Sequence, residues 1–156
     1  MILSLEKFTT SAYATVSKER RTRTKLDPAR ANTRMGNGLM DLVRLRVVQI
    51  LGCKRCIRGY SALLKRKGET DQRLRLLESW RKESAFTLRE KAALNLAEAV
   101  ACNPFSSIPR EAIYPARAFF TEEQMIFFVL DIVAIHDRHY LKSFQHDDRT
   151  RRPPHE

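Results

Sequence analysis

Apolar residues recur along this chain at every third or fourth position, and no stretch shows sustained alternation, so the pattern predicts helices and no sheet. Over 39–51, Leu39, Leu42, Val43, Val47 and Ile50 form one stripe, and Leu45 and Val48 widen it into a helix buried on more than one side. Over 53–67, Cys53, Cys56, Ile57, Tyr60, Leu63 and Leu64 share a face, while Lys54, Arg55, Arg58, Lys65 and Arg66 lie mostly off it. Gly52 and Gly68 stand where these two helices must end, because glycine accepts the left-handed backbone of a helix terminus. Thr70 is an N-cap for a helix over 71–82 with Leu74, Leu77 and Trp80 on one side. Thr87 and Glu90 make a capping box, with Phe86 as a hydrophobic staple, and open a helix whose inward residues are Ala92, Ala93, Leu96, Ala97 and Val100. Asn103-Pro104 closes that helix, and Pro109 begins a short one that runs to about Phe119. Thr121 and Gln124 form a second capping box ahead of a last helix over 122 to about 145, with Met125, Val129, Ile132, Val133, His136 and Tyr140 on its inward stripe.

Outside this region the pattern weakens. Residues 4–20 carry a faint helical period, and 22–38 carry none, being punctuated by Asp27-Pro28 and Gly36-Asn37-Gly38. Beyond Gln145 the chain is polar and ends near Pro153-Pro154. The chain therefore divides into a divergent helix and basic connector over 1–37, a helical domain over 38–145, and a polar tail over 146–156 expected to be disordered. The expected fold class is all-α, a bundle of about six or seven helices in short-looped antiparallel pairs.

The chain's 156 residues suit one domain with a real core. Its N-terminus lacks the cationic start and long apolar stretch of a signal peptide, and Met125–Ile135 is too short to span a bilayer, so a cytoplasmic protein without membrane contact is expected. The formal net charge of +11 raises nucleic acid as a partner. The densest cluster, Lys18 to Arg34, has no aromatic residues between its cations on which bases would stack, and reads better as a solvated face.

Chemistry concentrates in Gly52-Cys53-Lys54-Arg55-Cys56, a C-x-x-C pair placed where one helix stops and the next starts. At a helix N-terminus the free N–H groups and the macrodipole favour an anion, and Lys54 and Arg55 add positive potential, so the thiolate of Cys53 is favoured. Cys56 lies a turn further on, on the apolar stripe, and is the natural resolving partner. Two buried structural cysteines are the plainer alternative. Zinc would need further ligands, and only Cys102 and four scattered histidines remain. Neither a metal nor an organic cofactor is expected, and Cys102 is expected to be an ordinary buried thiol. Glu98 is expected either to line the same pocket or to pair with an arginine. His136, on the inward stripe of the last helix, is either a hydrogen-bonded core histidine or a proton carrier.

From about Gly38 onward the chain resembles the carboxymuconolactone decarboxylase superfamily, and its alkylhydroperoxidase D-like branch in particular. The resemblance rests on ordered blocks: Leu42-Val43-Arg44-Leu45-Arg46; Gln49-Ile50-Leu51-Gly52-Cys53 with Cys56; Gly68-Glu69-Thr70 with Arg73-Leu74; Ser79-Trp80-Arg81 to Phe86-Thr87; Ala92-Ala93-Leu94 to Ala97-Glu98-Ala99-Val100; and Phe120-Thr121-Glu122-Glu123. It implies an all-helical homo-oligomer, commonly a trimer or hexamer. It also implies a thiol–disulfide peroxidase whose two cysteines reduce organic hydroperoxides and are restored by an external dithiol or a disulfide-reductant protein. In that branch a glutamate twelve residues before the first cysteine and a histidine four after the second form a proton relay. The corresponding positions here hold Asp41 and Tyr60, and the Asn-x-Trp-Asn-Arg run common near the C-terminus is replaced by His136-Asp137-Arg138-His139-Tyr140. The resemblance thus makes Cys53, Cys56, Asp41, Tyr60 and His136 the candidate site. A lactone decarboxylase is the second expectation, against which the C-x-x-C pair argues. The third is a non-catalytic, redox-responsive oligomer with an altered relay.

Overall fold

The structure is a computed structural model that describes residues 36–103 and 106–150 of the chain. Its elements are α1 (Asn37–Ile50), α2 (Lys54–Arg66), α3 (Asp71–Leu76), a 3-10 turn (Leu77–Ser79), α4 (Leu88–Cys102), α5 (Arg110–Arg117) and α6 (Glu122–Thr150), with no strand among the described residues. The all-α expectation holds. The expected helix and connector over 1–37 lie almost wholly outside the described residues.

The bundle is built around α1. Leu39, Met40, Leu42, Val43, Leu45, Val47 and Val48 are all buried, so this helix contacts neighbours on several sides. It packs against α2, α4 and α6. Ala92, Ala93, Ala97 and Ala101 keep α4 slim where it meets α1, α5 and α6. From α6, Met125, Phe128, Ile132 and Val133 complete the core, and Phe120 meets Phe128 edge-on at 5.1 Å between ring centres.

α1 and α2 end in the same way. Gly52 N–H donates to the carbonyl of Gln49 at 3.0 Å and Cys53 N–H to that of Val48 at 3.0 Å. Gly68 N–H donates to Lys65 and Glu69 N–H to Leu64, again at 3.0 Å each. This paired bonding requires a left-handed residue just past the helix, and Gly52 (φ 66°) and Gly68 (φ 96°) supply it. The capping boxes form as the sequence predicts: Thr87 N–H donates to Glu90 at 2.8 Å and Glu90 N–H to Thr87 at 3.2 Å. Thr121 and Gln124 exchange the equivalent bonds at 2.9 and 3.3 Å.

Four details depart from the pattern. The helix expected over 71–82 is α only to Leu76 and then tightens into the 3-10 turn, which aims the Trp80 indole at Glu98. Pro115 falls inside α5, where it offers no N–H to the carbonyl of Glu111; Asn95 of α4 donates its side-chain amide there instead, at 3.0 Å. The last helix continues to Thr150, through the start of the expected tail. Its buried stripe does not reach Tyr140, which is 56% exposed because the core beneath it has ended.

Candidate functional site

Cys53 belongs to two helix termini at once. Its N–H closes α1, and the same residue is the N-cap of α2. Its Sγ accepts the N–H of Cys56 at 3.3 Å, in the place where a serine or threonine oxygen usually caps. Cys53 and Cys56 are joined as a disulfide, with their Cα atoms 5.3 Å apart. Both residues are half-buried, whereas Lys54 and Arg55 between them face solvent. The pair packs against the edge of the core beside Ile50, Leu51, Ile57 and Tyr60. No group of three or more His, Cys, Asp or Glu side chains converges on a metal-sized site among the described residues, so the pair gains no further ligands there.

Asp41 is buried at 3% exposure, and each of its oxygens accepts from a cation. Arg44 Nη1 donates to Oδ1 at 3.1 Å, and Lys67 donates to Oδ2. Arg44, one turn on along α1, is thus its partner, while Arg46 turns to Glu98. Lys67 caps the far end of α2, three turns and roughly 16 Å along the axis from Cys56. Asp41 is therefore tied to the Lys67 end of the α1–α2 hairpin rather than directly to the cysteines. Arg44 links Asp41 to α6. Its guanidinium also grips Asp131 of α6 through two bonds, at 2.8 and 3.2 Å, and lies within electrostatic reach of Tyr60. Burial alone would lower the pKa of Arg44; the hydrogen bond and charge of Asp131, with Tyr60 and Asp41 behind them, reverse this and raise it.

Asp131 was missed by sequence reasoning, although one signal was present: it is the lone carboxylate inside the apolar run Met125–Ile135. His136 is half-buried on α6, one turn beyond Ile132 on the same side. Cys102 corrects its expectation, being exposed because it is the last residue of α4, where the helix runs out past the core.

Glu98 makes a separate cluster. Arg46 and the Trp80 indole donate to its Oε1 at 2.7 and 2.9 Å, and Arg81 pairs with Oε2. Burial would raise its carboxyl pKa, but the bonds from Trp80, Arg46 and Arg81 outweigh that and hold it below the usual carboxylate range. The arginine pairing is thus the one of its two expected roles that the structure contains. Trp80, read from sequence only as a core residue, is its indole donor.

Comparison with known proteins adds the family. Residues 29–99 match the carboxymuconolactone decarboxylase family. Over those residues the chain is similar to that family. The matched span contains α1, α2, the disulfide and the whole Glu98 cluster. A relative of this family domain, the uncharacterised protein YdfG of Bacillus subtilis (strain 168), is 35% identical over 92 residues, 59% of this chain and 63% of its own length. The match thus spans less than two thirds of that relative. A crystal structure of an Agrobacterium tumefaciens protein of unknown function, put forward as an AhpD antioxidant defence protein, superposes with a TM-score of 0.65. It covers 97% of this chain and 94% of its own at 22% identity, which shows a shared fold.

Proposed function

We propose that this protein is a thiol–disulfide oxidoreductase of the AhpD-like type that reduces organic hydroperoxides through Cys53 and Cys56. The observation that carries this is the pair itself, closed as a disulfide at the first turn of α2 with a backbone N–H on the Cys53 sulfur. That position favours a thiolate when the pair is reduced. One thiolate attacks the terminal peroxide oxygen, the O–O bond breaks, and the alkoxide takes a proton and leaves as the alcohol. The sulfenic acid formed condenses with the second thiol, releasing water and making the disulfide. An external dithiol returns two electrons and two protons by exchange. No metal or organic cofactor enters this scheme.

The Arg44 group supplies the polar surroundings that a glutamate–histidine relay would otherwise provide. Asp41 balances Arg44, and Tyr60, one turn beyond Cys56, is a hydrogen-bond donor toward the peroxide. His136 is the candidate proton carrier from α6. The exposed Leu88, Tyr114 and Phe119 support the self-association that the family likeness suggests.

The test is treatment of the reduced protein with a hydroperoxide, followed by mass spectrometry and a dithiol-coupled turnover assay. Rapid formation of the Cys53–Cys56 disulfide with multiple turnovers is the expected result. A pair that stays reduced removes the proposal. A second reading, a redox-responsive protein without efficient turnover, draws on the double cation pairing of Asp41. It is recognised by one stoichiometric oxidation followed by no steady state.

A further inference from the structure

α2 packs chiefly against α1, and Leu64 is its one buried side chain. Its outer face is left to solvent, and that face is cationic. At 100° per residue, Lys54 and Lys65 stand at one edge of an arc of roughly 120°, Arg55 and Arg66 at the other, and Arg58 and Ala62 between them. All six are exposed, while Cys56, Tyr60 and Leu64 lie on the opposite side. The arc is thus a second surface of this helix, turned away from the cysteine pair and independent of its chemistry. Internal interactions do not account for its charges. No Asp or Glu occurs between Asp41 and Glu69, so α2 has no acid of its own. Among the described residues Lys65 pairs with Asp71, but Lys54, Arg55, Arg58 and Arg66 take part in no ion pair. Elsewhere Arg44, Arg46, Arg73 and Arg81 each hold a carboxylate. Lys54 and Arg58, four residues apart, repel one another, as do Arg55 and Arg58 at three. Lys65 and Arg66 suit the negative end of the helix dipole, but Lys54 and Arg55 stand at its positive end, where a cation is disfavoured.

We propose that this face of α2 binds the backbone of duplex DNA, without regard to base sequence. The charge selects a polyanion, and the chain's net charge of +11 draws one in. The uncharged part of the arc then selects among polyanions. An acidic protein surface is held around buried aromatic and aliphatic anchors, and a helix on a membrane surface inserts large apolar side chains. Between the cations of α2 stands only the methyl group of Ala62, with the exposed Gly59 beside the second edge. Single strands are held by stacking on aromatic rings, and the arc has none. A duplex needs neither anchors nor rings, because its protein interfaces are polar and strongly positive. The major groove of B-form DNA admits an α-helix between two lines of phosphates. The two edges of the arc suit those two lines, and the small residues let the helix backbone come close. Over the roughly 18 Å of helix from Lys54 to Arg66, a duplex carries about ten phosphates, enough to engage every unpaired cation. Phosphate contacts position the protein and carry no sequence information. Duplex RNA is disfavoured, because its major groove is too narrow for a helix.

The experiment follows the fluorescence anisotropy of a labelled DNA duplex with the full-length protein over a salt series. Binding is expected to weaken steeply with salt, by about 0.9 in the logarithmic slope for each phosphate neutralised. Arg58→Gln with Arg66→Gln is expected to reduce that slope by about 1.8 and to weaken binding at low salt about tenfold. Both positions are exposed, so the circular dichroism of this variant should match that of the parent. Arg21→Gln with Arg23→Gln, in the basic segment 18–34, is the comparison. A slope that falls there and not in the α2 variant overturns the proposal, as does the absence of binding at low salt. An RNA duplex of equal length that binds as tightly as the DNA also overturns it. So does displacement of the duplex, at equal charge, by polyglutamate or by phosphatidylserine vesicles; the first result points to an acidic protein and the second to a membrane surface.

Discussion

Arg44 and Arg46 leave the same helix two residues apart and enter opposite kinds of surroundings. Arg46 joins a carboxylate that already holds an indole and a second arginine, so Glu98 has three donors from two parts of the chain. Arg44 is a single guanidinium between two carboxylates, Asp41 and Asp131, with Tyr60 nearby and Lys67 on the far oxygen of Asp41. The first arrangement is an anchored anion, and it fastens α1, α4 and the turn after α3 to one another. The second is a balanced chain of opposite charges, and it runs from Lys67 at the end of α2, across Asp41 and Arg44 of α1, to Asp131 of α6. On the proposed function the two clusters differ in what their loss would change: perturbing the first changes stability, and perturbing the second changes stability and chemistry together.

The largest effect expected from this contrast is at Glu98. Glu98→Ala leaves Arg46 and the Trp80 indole without their acceptor and is expected to cost about 3–5 kcal/mol in urea unfolding, as for a broken buried pair. At temperatures where the variant is folded, its hydroperoxide turnover per molecule should match the parent. Arg44→Met is expected to cost less, about 2–3 kcal/mol, because Asp41 keeps Lys67 and Asp131 lies partly in solvent. Unlike Glu98→Ala, it should lower turnover at least several-fold and alter its pH profile. Turnover equal to the parent would dissolve the contrast between the clusters.

Acidity sharpens the same comparison. The Glu98 carboxyl lies below its ordinary value of about 4.5 in the folded protein, so its contribution is complete above that pH and is lost as pH falls through the depressed folded value. Acid unfolding followed by Trp80 fluorescence should therefore steepen below about pH 4.5, and Glu98→Gln should flatten that slope. Glu90, held low against its burial by Arg73 and Thr87, adds to the slope in the same direction and remains in the Gln variant. The smallest effect is at Gly59, where Gly59→Ala should raise stability by about 0.5–1 kcal/mol in the same denaturation assay, since the position is an exposed helix interior.

How much of this was legible depended on range. Thr70, Thr87 and Thr121 could be read as caps, because a cap bonds a backbone group three residues away. Gly52 and Gly68 could be read as helix ends for the same local reason. Cys102 could not be placed, since a thiol at the last turn of α4 has the same neighbours in sequence whether or not the core extends that far. Tyr140 is a like case: it continues the spacing of the stripe yet is exposed. Asp41 and Arg44 stand at helical spacing, but Lys67 lies 26 residues from Asp41 and Asp131 87 residues from Arg44.

The chain's own pattern determined its helices, their caps, and the position of Cys53 and Cys56 at the start of α2, since all of these follow from hydrogen bonds and apolar periods within a few residues. Only the tertiary structure decided which carboxylates each half-buried arginine of α1 meets, because a guanidinium partly withdrawn from water takes the acceptor that the packing of α4 and α6 brings within reach.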